Sequence, residues 1–300
     1  MSCVMLVSKF LDPKNDMAFK RIFGTEKNKD ILIHFLNDIF ARQTDPIEDV
    51  TFLKTAQDPE IASQRVSIVD IMCQDSKNNR FIVEIQVVHE PGFVKRAQYY
   101  AAKAYIDQRG KGSEYKDLKQ VTFLAITDFV LFSEKEDYLS HHHILDTCTL
   151  ERDLKDFSFS FLELPKFKKE KDHLKTMTEK WAFFFKNADE TQEQDLDDII
   201  GSDLIVKRAY EELNRFAWST EELRAYDSID MKQAADKAIL EGAFDLGKAE
   251  GIEEGMEKGM EKGRAEAARE IAKAMLAQGI PLETIKDVTG LALNEIKSLR

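Results

Sequence analysis

Residues Ser67–Val88 read SIVDIMCQDSKNNRFIVEIQVV. Two runs rich in Val and Ile flank the polar, turn-forming Ser76-Lys77-Asn78-Asn79, the pattern of a β-hairpin. Asp70, Glu84 and Gln86 interrupt these apolar strands. Side chains alternate across a strand, so Glu84 and Gln86 share one face while Phe81, Val83, Ile85 and Val87 take the other. In the preceding strand Asp70 shares a face with Ile68 and Met72, and antiparallel pairing about a turn near Asn78 brings it roughly opposite Glu84–Gln86. A buried carboxylate is costly unless it is paired or holds a metal. Two on one face repel each other unless a cation joins them, and oxygen ligands of this kind suit Mg²⁺ or Mn²⁺. A buried pair satisfied by neighbouring donors is the competing reading of the same spacing.

On the N-terminal side, Asp16–Gly24 (DMAFKRIFG) predicts a short helix with Asp16 as N-cap and Gly24 as stop. Ile31, Leu32, Phe35, Leu36, Ile39 and Phe40 form one apolar face of a second helix over Lys27–Arg42. Asp49–Ala56 reads as a strand. After the hairpin, Phe93–Gly110 reads as a helix stopped by Gly110 and Gly112. Gln120–Phe132 is a strongly apolar strand run, His141–Leu145 and Phe157–Leu164 are further strand candidates, and Thr176–Asn187 is an aromatic helix. The order predicts an α/β fold, a mixed sheet flanked by helices, followed by a helical C-terminal extension.

The net charge of −12 is unevenly spread. Residues 1–186 carry 28 basic against 29 acidic side chains, whereas residues 187–300 carry 15 against 26. The acidity therefore belongs to the C-terminal part, and the overall charge does not exclude DNA as a partner. Asp189–Asp203 holds seven acids and no base and reads as a solvated boundary. The expected organisation is a domain over 1–188, an acidic linker over 189–203, a helical region over 204–278 with helices at Leu204–Leu223 and Glu241–Arg269, and a terminal module over 279–300. Gly247, Gly251, Gly255, Gly259 and Gly263 recur every fourth residue, which lines glycines along one helical stripe and permits close approach of another backbone. Each interior glycine costs about 1 kcal/mol relative to alanine. The stripe therefore predicts a helix that needs a partner helix, for which a second copy and hence a homo-oligomer is the expectation; a low-complexity, partly disordered tether is the competing reading. Leu282–Thr289, Gly290-Leu291 and Asn294–Leu299 form a helix–turn–helix-like pattern whose second helix carries Glu295 and Lys297, with Arg300 after it, suited either to reading a DNA groove or to a small packing module.

Cys3, Cys73 and Cys148 are too dispersed for a disulfide framework or a metal knuckle. The apolar runs are too short to span a bilayer, and the N-terminus lacks the features of a signal peptide, so the expectation is a cytoplasmic protein without a membrane partner. Among other candidate groups, His141-His142-His143 would alternate faces in a strand, so at most two converge on a metal. Asp128 follows an apolar strand and could border a site, and Cys73 reads as core. Lys166, Lys168 and Lys169 form a small basic cluster suited to phosphate contact or to a solvated loop. No Gly-rich phosphate loop or Ser-His-Asp constellation stands out.

An Asp in one strand followed by Glu-x-Lys in the next is the signature of the PD-(D/E)XK nuclease superfamily. Here Asp70 is followed by Glu84-Ile85-Gln86, with glutamine in place of lysine. That departure resembles one branch, the Rpn family of recombination-promoting nucleases, also called transposases. The resemblance extends to DMAFKRIFG, to VDI (Val69–Ile71) and VEIQV (Val83–Val87), to RAQYYAAKAY (Arg96–Tyr105), to FLELPKFKK (Phe161–Lys169), and to the glycine-periodic tail with its terminal GLALNEIKSL. It implies a restriction-endonuclease-like fold and metal-dependent hydrolysis of DNA phosphodiester bonds, with Mg²⁺ or Mn²⁺ as cofactor. On that reading Asp70, Glu84 and the backbone carbonyl of Ile85 are metal ligands, and Gln86 stands where the lysine orients the attacking water. Arg96, Tyr100 and Lys103, on one face of the following helix, would supply the missing charge and meet the phosphate. Asp16 resembles the family's early aspartate. The alternative is a catalytically weak or inactive DNA-binding or assembly protein on a nuclease fold.

Overall fold

A computed structural model describes residues 8–54, 56–57, 67–110, 114–201 and 203–299. Cys3, Gly112 and Arg300 lie outside the described residues. Two compact units divide the chain, residues 1–237 and 238–300.

The first unit opens with α1 (Asp16–Phe23) and α2 (Lys29–Ile39). The cap of α1 is Asn15, whose side chain accepts the Met17 N–H, so Asp16 is the first helical residue and not the cap. Both residue types cap well, and composition alone does not separate adjacent candidates. Strand β1 (Val50–Phe52) follows, then the two-residue strands β2 (Ala56–Gln57) and β3 (Ser67–Ile68), which pair with each other. The hairpin forms as β4 (Ile71–Asp75) and β5 (Arg80–Gln86), with Ile71 opposite Val83. Its turn holds Asn78 at φ 64°, a left-handed conformation that asparagine tolerates better than most residues. The Asp75 carboxylate accepts the N–H groups of Lys77 and Asn79.

From β5 the chain crosses through α3 (Phe93–Ile106) to β6 (Val121–Thr127), which lies parallel to β5. A parallel neighbour requires such a crossover. The apolar run beyond Thr127 does not continue the strand. β7 (Leu139–His143) and β8 (Phe157–Glu163) complete a six-stranded sheet of order β1-β4-β5-β6-β8-β7, antiparallel at both edges and parallel along β5-β6-β8. All seven residues of β6 are buried, as a strand covered on both faces must be.

The faces differ. Ile71, Phe81, Val83, Ile85, Leu124 and Leu162 meet α1, α2 and α4 (Met177–Asn187) in a core rich in aromatic rings, including Phe19, Phe23, Phe35, Trp181 and Phe185. On the other face Met72, Ile82, Phe123, Ala125 and Phe161 meet Phe93, Ala97, Ala101 and Ala104 of α3. The alanines let this helix lie close to the sheet.

The acidic stretch 189–203 lies inside the first unit. It contains α5 (Leu196–Ile200), whose Leu196, Ile199 and Ile200 are buried in the main core while Asp197 and Asp198 stay exposed. A charge count registers the acids and misses the i, i+3, i+4 apolar spacing between them. α6 (Leu204–Glu212) ends well before Leu223, and a short 3-10 turn at Arg215–Ala217 precedes α7 (Thr220–Ala277).

The second unit contains the later turns of α7 followed by α8 (Leu282–Thr289) and α9 (Leu293–Ser298). Gly290, at φ 70°, ends α8 in a left-handed cap. Ala272, Ile285 and Ile296 form a small core with Met275, Leu276 and Leu291 around it. Within this unit Gly247, Gly251, Gly255, Gly259 and Gly263 all face open space. No helix among the described residues is long and apolar enough to cross a membrane.

Candidate active site

The hairpin register sets Asp70, just before β4, beside Glu84 near the end of β5. The two acids are joined through each other's backbone. Asp70 N–H donates to Glu84 Oε2 at 2.9 Å, and Ile85 N–H donates to Asp70 Oδ2 at 2.9 Å. Each carboxylate thus has one oxygen held by the main chain. Of the second pair, Asp70 Oδ1 lies 3.5 Å from Lys20 Nζ.

The pair is buried: Glu84 is 6% exposed, and the Asp70 side chain 15%. Burial raises the Asp70 pKa, with the negative charge of Asp16 adding to it, while the Ile85 N–H and Lys20 oppose. Burial also raises Glu84, and the charge of Asp70 adds to it, against the Asp70 N–H, Arg96 and Lys20. Both acids therefore resist full ionisation. A divalent cation would remove that resistance, and two hard oxygen donors suit one. Among the described residues no group of three or more His, Cys, Asp or Glu side chains is set to hold a metal.

Gln86 lies at the end of β5, one turn of the pleat from Glu84 and on the same face. Its Nε2 donates to the Val88 carbonyl at 2.8 Å, and its Oε1 accepts from the Arg96 guanidinium. Arg96 also pairs with Glu90 and lies over the Phe93 ring. Burial raises the Tyr100 pKa, with Glu84, Glu90 and Asp70 adding to the rise and Arg96 opposing it. Lys103 lies nearly two turns beyond Arg96 on α3 and is half-buried. Asp16 sits on α1, where its charge acts on Asp70 and its Oδ1 accepts from Gln233 Nε2 at 3.4 Å.

Lys20 was not singled out from the sequence. It lies one turn after Asp16 in DMAFKRIFG, on the same helical face, and that i, i+4 spacing was the available signal. Asp128 donates its backbone N–H to the Gln86 carbonyl, while its carboxyl pKa is raised by burial and opposed by Lys14. The basic cluster disperses. Lys166 Nζ is buried against Glu163 at 2.8 Å, and Lys169 pairs with Glu179 at 2.5 Å. The three histidines alternate along edge strand β7, with His141 Nδ1 at 2.8 Å from Ser160 Oγ and His142 Nε2 at 3.1 Å from Ser140 Oγ. Cys73 is core, with its thiol pushed up to about 12 by burial.

A family model described as PD-(D/E)XK nuclease family transposase matches residues 13–242. A second, described as Rpn/YhgA-like nuclease family, C-terminal HTH domain, matches residues 265–300. No curated protein and no solved structure matches the chain. The first match spans α1, the hairpin, the crossover helix and the rest of the sheet, and the second spans the small three-helix core. With a mixed sheet that sets Asp70, just before β4, beside Glu84 of β5, the chain belongs to the PD-(D/E)XK nuclease family transposases, in the Rpn branch.

Proposed function

We propose that this protein is a divalent-metal-dependent DNA endonuclease that hydrolyses phosphodiester bonds. The observation that carries the reading is the buried Asp70–Glu84 pair, held through reciprocal backbone hydrogen bonds with both carboxyl pKa values raised. Asp70, Glu84 and the Ile85 carbonyl would hold Mg²⁺ or Mn²⁺. When bound, the cation supplies Lewis-acid charge for the scissile phosphate and makes water a better nucleophile. Gln86 orients the attacking water with the hydrogen-bonding capacity left beside its contacts to Val88 and Arg96. Glutamine carries no charge, so positive charge comes from Arg96 on α3 and Lys20 on α1. Tyr100 and Lys103 extend the phosphate-facing side of α3.

The direct test is nicking of supercoiled plasmid in Mg²⁺, in Mn²⁺ and in chelator. Cleavage with either metal and none in chelator is expected. DNA binding without nicking in any divalent metal would favour a non-catalytic DNA-binding protein, a reading encouraged by the engagement of both ends of the Gln86 amide. Lys20→Met and Arg96→Met are each expected to lower kcat by roughly 10²-fold with the fold intact, the scale for removing one group that stabilises transition-state charge. Unchanged turnover in both would remove these residues from the mechanism.

Metal binding has a pH signature. Raised folded-state values mean that the two acids favour the metal-free fold below their unfolded values near 4. That contribution is lost as pH rises, and for Glu84 the loss runs up to about 8. The metal-free protein should therefore lose stability between about pH 4.5 and pH 8 from these groups. Added Mg²⁺ should raise Tm more at pH 8 than at pH 6, because binding displaces the retained proton. A Tm response that is the same at both values would contradict the assignment.

The terminal helices α8 and α9 add a DNA-binding element, and the glycine stripe of α7 supports a homo-oligomer. Replacing Gly251, Gly255 and Gly259 together by alanine separates two outcomes. An unpartnered helix would gain about 1 kcal/mol per site, whereas a packed stripe would lose self-association. Sedimentation of the full chain is expected to show the loss.

A further inference from the structure

A cleft of ≈320 Å³ opens at the other end of the sheet from the acid pair. Its lining includes Arg42, Arg152, His141, His143, Thr122 and Ser158, and among the described residues lining it none is acidic. Phe81, at the start of β5, belongs to its wall, while Glu84 and Gln86 lie at the end of that strand and on its opposite face. The two sites are therefore separate.

The two arginines are under-paired. Arg152 gives one N–H to the Lys155 carbonyl at 3.2 Å, its Nε is buried without a partner, and no carboxylate pairs with it among the described residues. Burial lowers the Arg152 pKa, and its charge helps lower that of His143. Arg42 has Asp45 only at 3.8 Å, and Asp45 is more closely engaged by Lys77. His141 has Nδ1 turned to Ser160, which leaves Nε2 for another partner. In a chain with a net charge of −12, an acid-free cleft holding two arginines is electrostatically incomplete, and the two histidines, whose pKa values burial lowers, add ring N–H donors in place of charge. Arginine and hydroxyl donors of this kind match the oxygens of a phosphate group. The rings of Phe40 and Phe81 give the same cleft an apolar wall. The volume lies at the small end of ligand pockets, too small for a nucleic-acid duplex.

We propose that this cleft binds a small phosphate-bearing anion of about mononucleotide size, with the phosphate on Arg42, Arg152 and the two histidines and the organic part against Phe40 and Phe81. The assignment does not depend on nuclease activity.

The test is calorimetric titration of the full-length protein in metal-free buffer with inorganic phosphate and with AMP. One saturable site is expected, with AMP the tighter ligand. Arg152→Gln and His143→Gln should each weaken binding about tenfold or more while the far-UV spectrum and cooperative melting are retained. Asp70→Asn should leave binding unchanged, since it alters only the acid site. No saturable binding of either probe would overturn the proposal, as would equal affinity in a folded Arg152→Gln variant. Loss in Asp70→Asn would assign the anion to the acid site instead. Binding confined to a DNA duplex, with neither small anion competing, would equally overturn it.

Discussion

Asp70→Asn and Glu84→Gln are each expected to lower phosphodiester cleavage by roughly 10³-fold, the several kcal/mol that a correctly held cation would contribute to transition-state charge. Both substitutions keep the shape of the side chain and an oxygen for the backbone N–H that it accepts, from Ile85 in one case and from Asp70 in the other. The fold should therefore persist. The metal-free variants should be at least as stable as the parent at pH 8, because each removes one of two repelling, buried charges. Loss of activity combined with unchanged or higher Tm distinguishes a functional acid from a structural one. Mg²⁺ should no longer raise the Tm of either variant. Full cleavage by both variants, or an undiminished Mg²⁺-dependent shift, would defeat the metal-site assignment.

Glu163→Ala should destabilise the protein by about 3–5 kcal/mol, the range for removing one partner of a buried ion pair. Glu163 is fully buried at the end of β8, and its carboxylate accepts the N–H groups of Leu131 at 2.6 Å and Phe132 at 3.1 Å. Its other oxygen pairs with Lys166, which also donates to the Phe132 carbonyl at 2.7 Å. One acid thus ties the segment after β6 to the end of β8. Removing it leaves a buried ammonium and two backbone donors without their acceptor. Urea denaturation with a spectroscopic probe of the first unit measures the effect. The double substitution Glu163→Met with Lys166→Met should recover much of the loss, because no charge is then stranded. A loss below about 1 kcal/mol for Glu163→Ala would show that the network is weaker than a buried pair. The segment matters to the site, since Asp128 at its start donates to the Gln86 carbonyl.

These two predictions rest on different kinds of information. Asp70 and Glu84 were legible because a strand has a period of two and Ser76–Asn79 signals a turn. Alternation and turn position place the acids side by side with no knowledge of the rest of the chain. The same periodicity divides Phe81, Val83 and Ile85 from Ile82 and Glu84, and the two cores follow that division. Lys166 was different. In FLELPKFKK it reads as one of three clustered bases, yet its ammonium is buried with Glu163 while Lys168 stays exposed. A run of like residues does not reveal which member the core will cover.

Local order was thus written in the chain: the hairpin, the aromatic helix α4 with its Thr176 capping box, the buried strand β6, and the paired helices after Gly279. Each depends on residues a few positions apart, through side-chain period, capping or turn chemistry. Tertiary structure alone brought Lys20 of α1 to Asp70, set Arg96 of α3 on Gln86, folded α5 into the main core, and gathered Arg42, His141 and Arg152 around one cleft. Those groupings join residues remote in sequence. They follow from which helix packs on which face of the sheet and from strand order, and neither is encoded in the spacing of neighbouring residues.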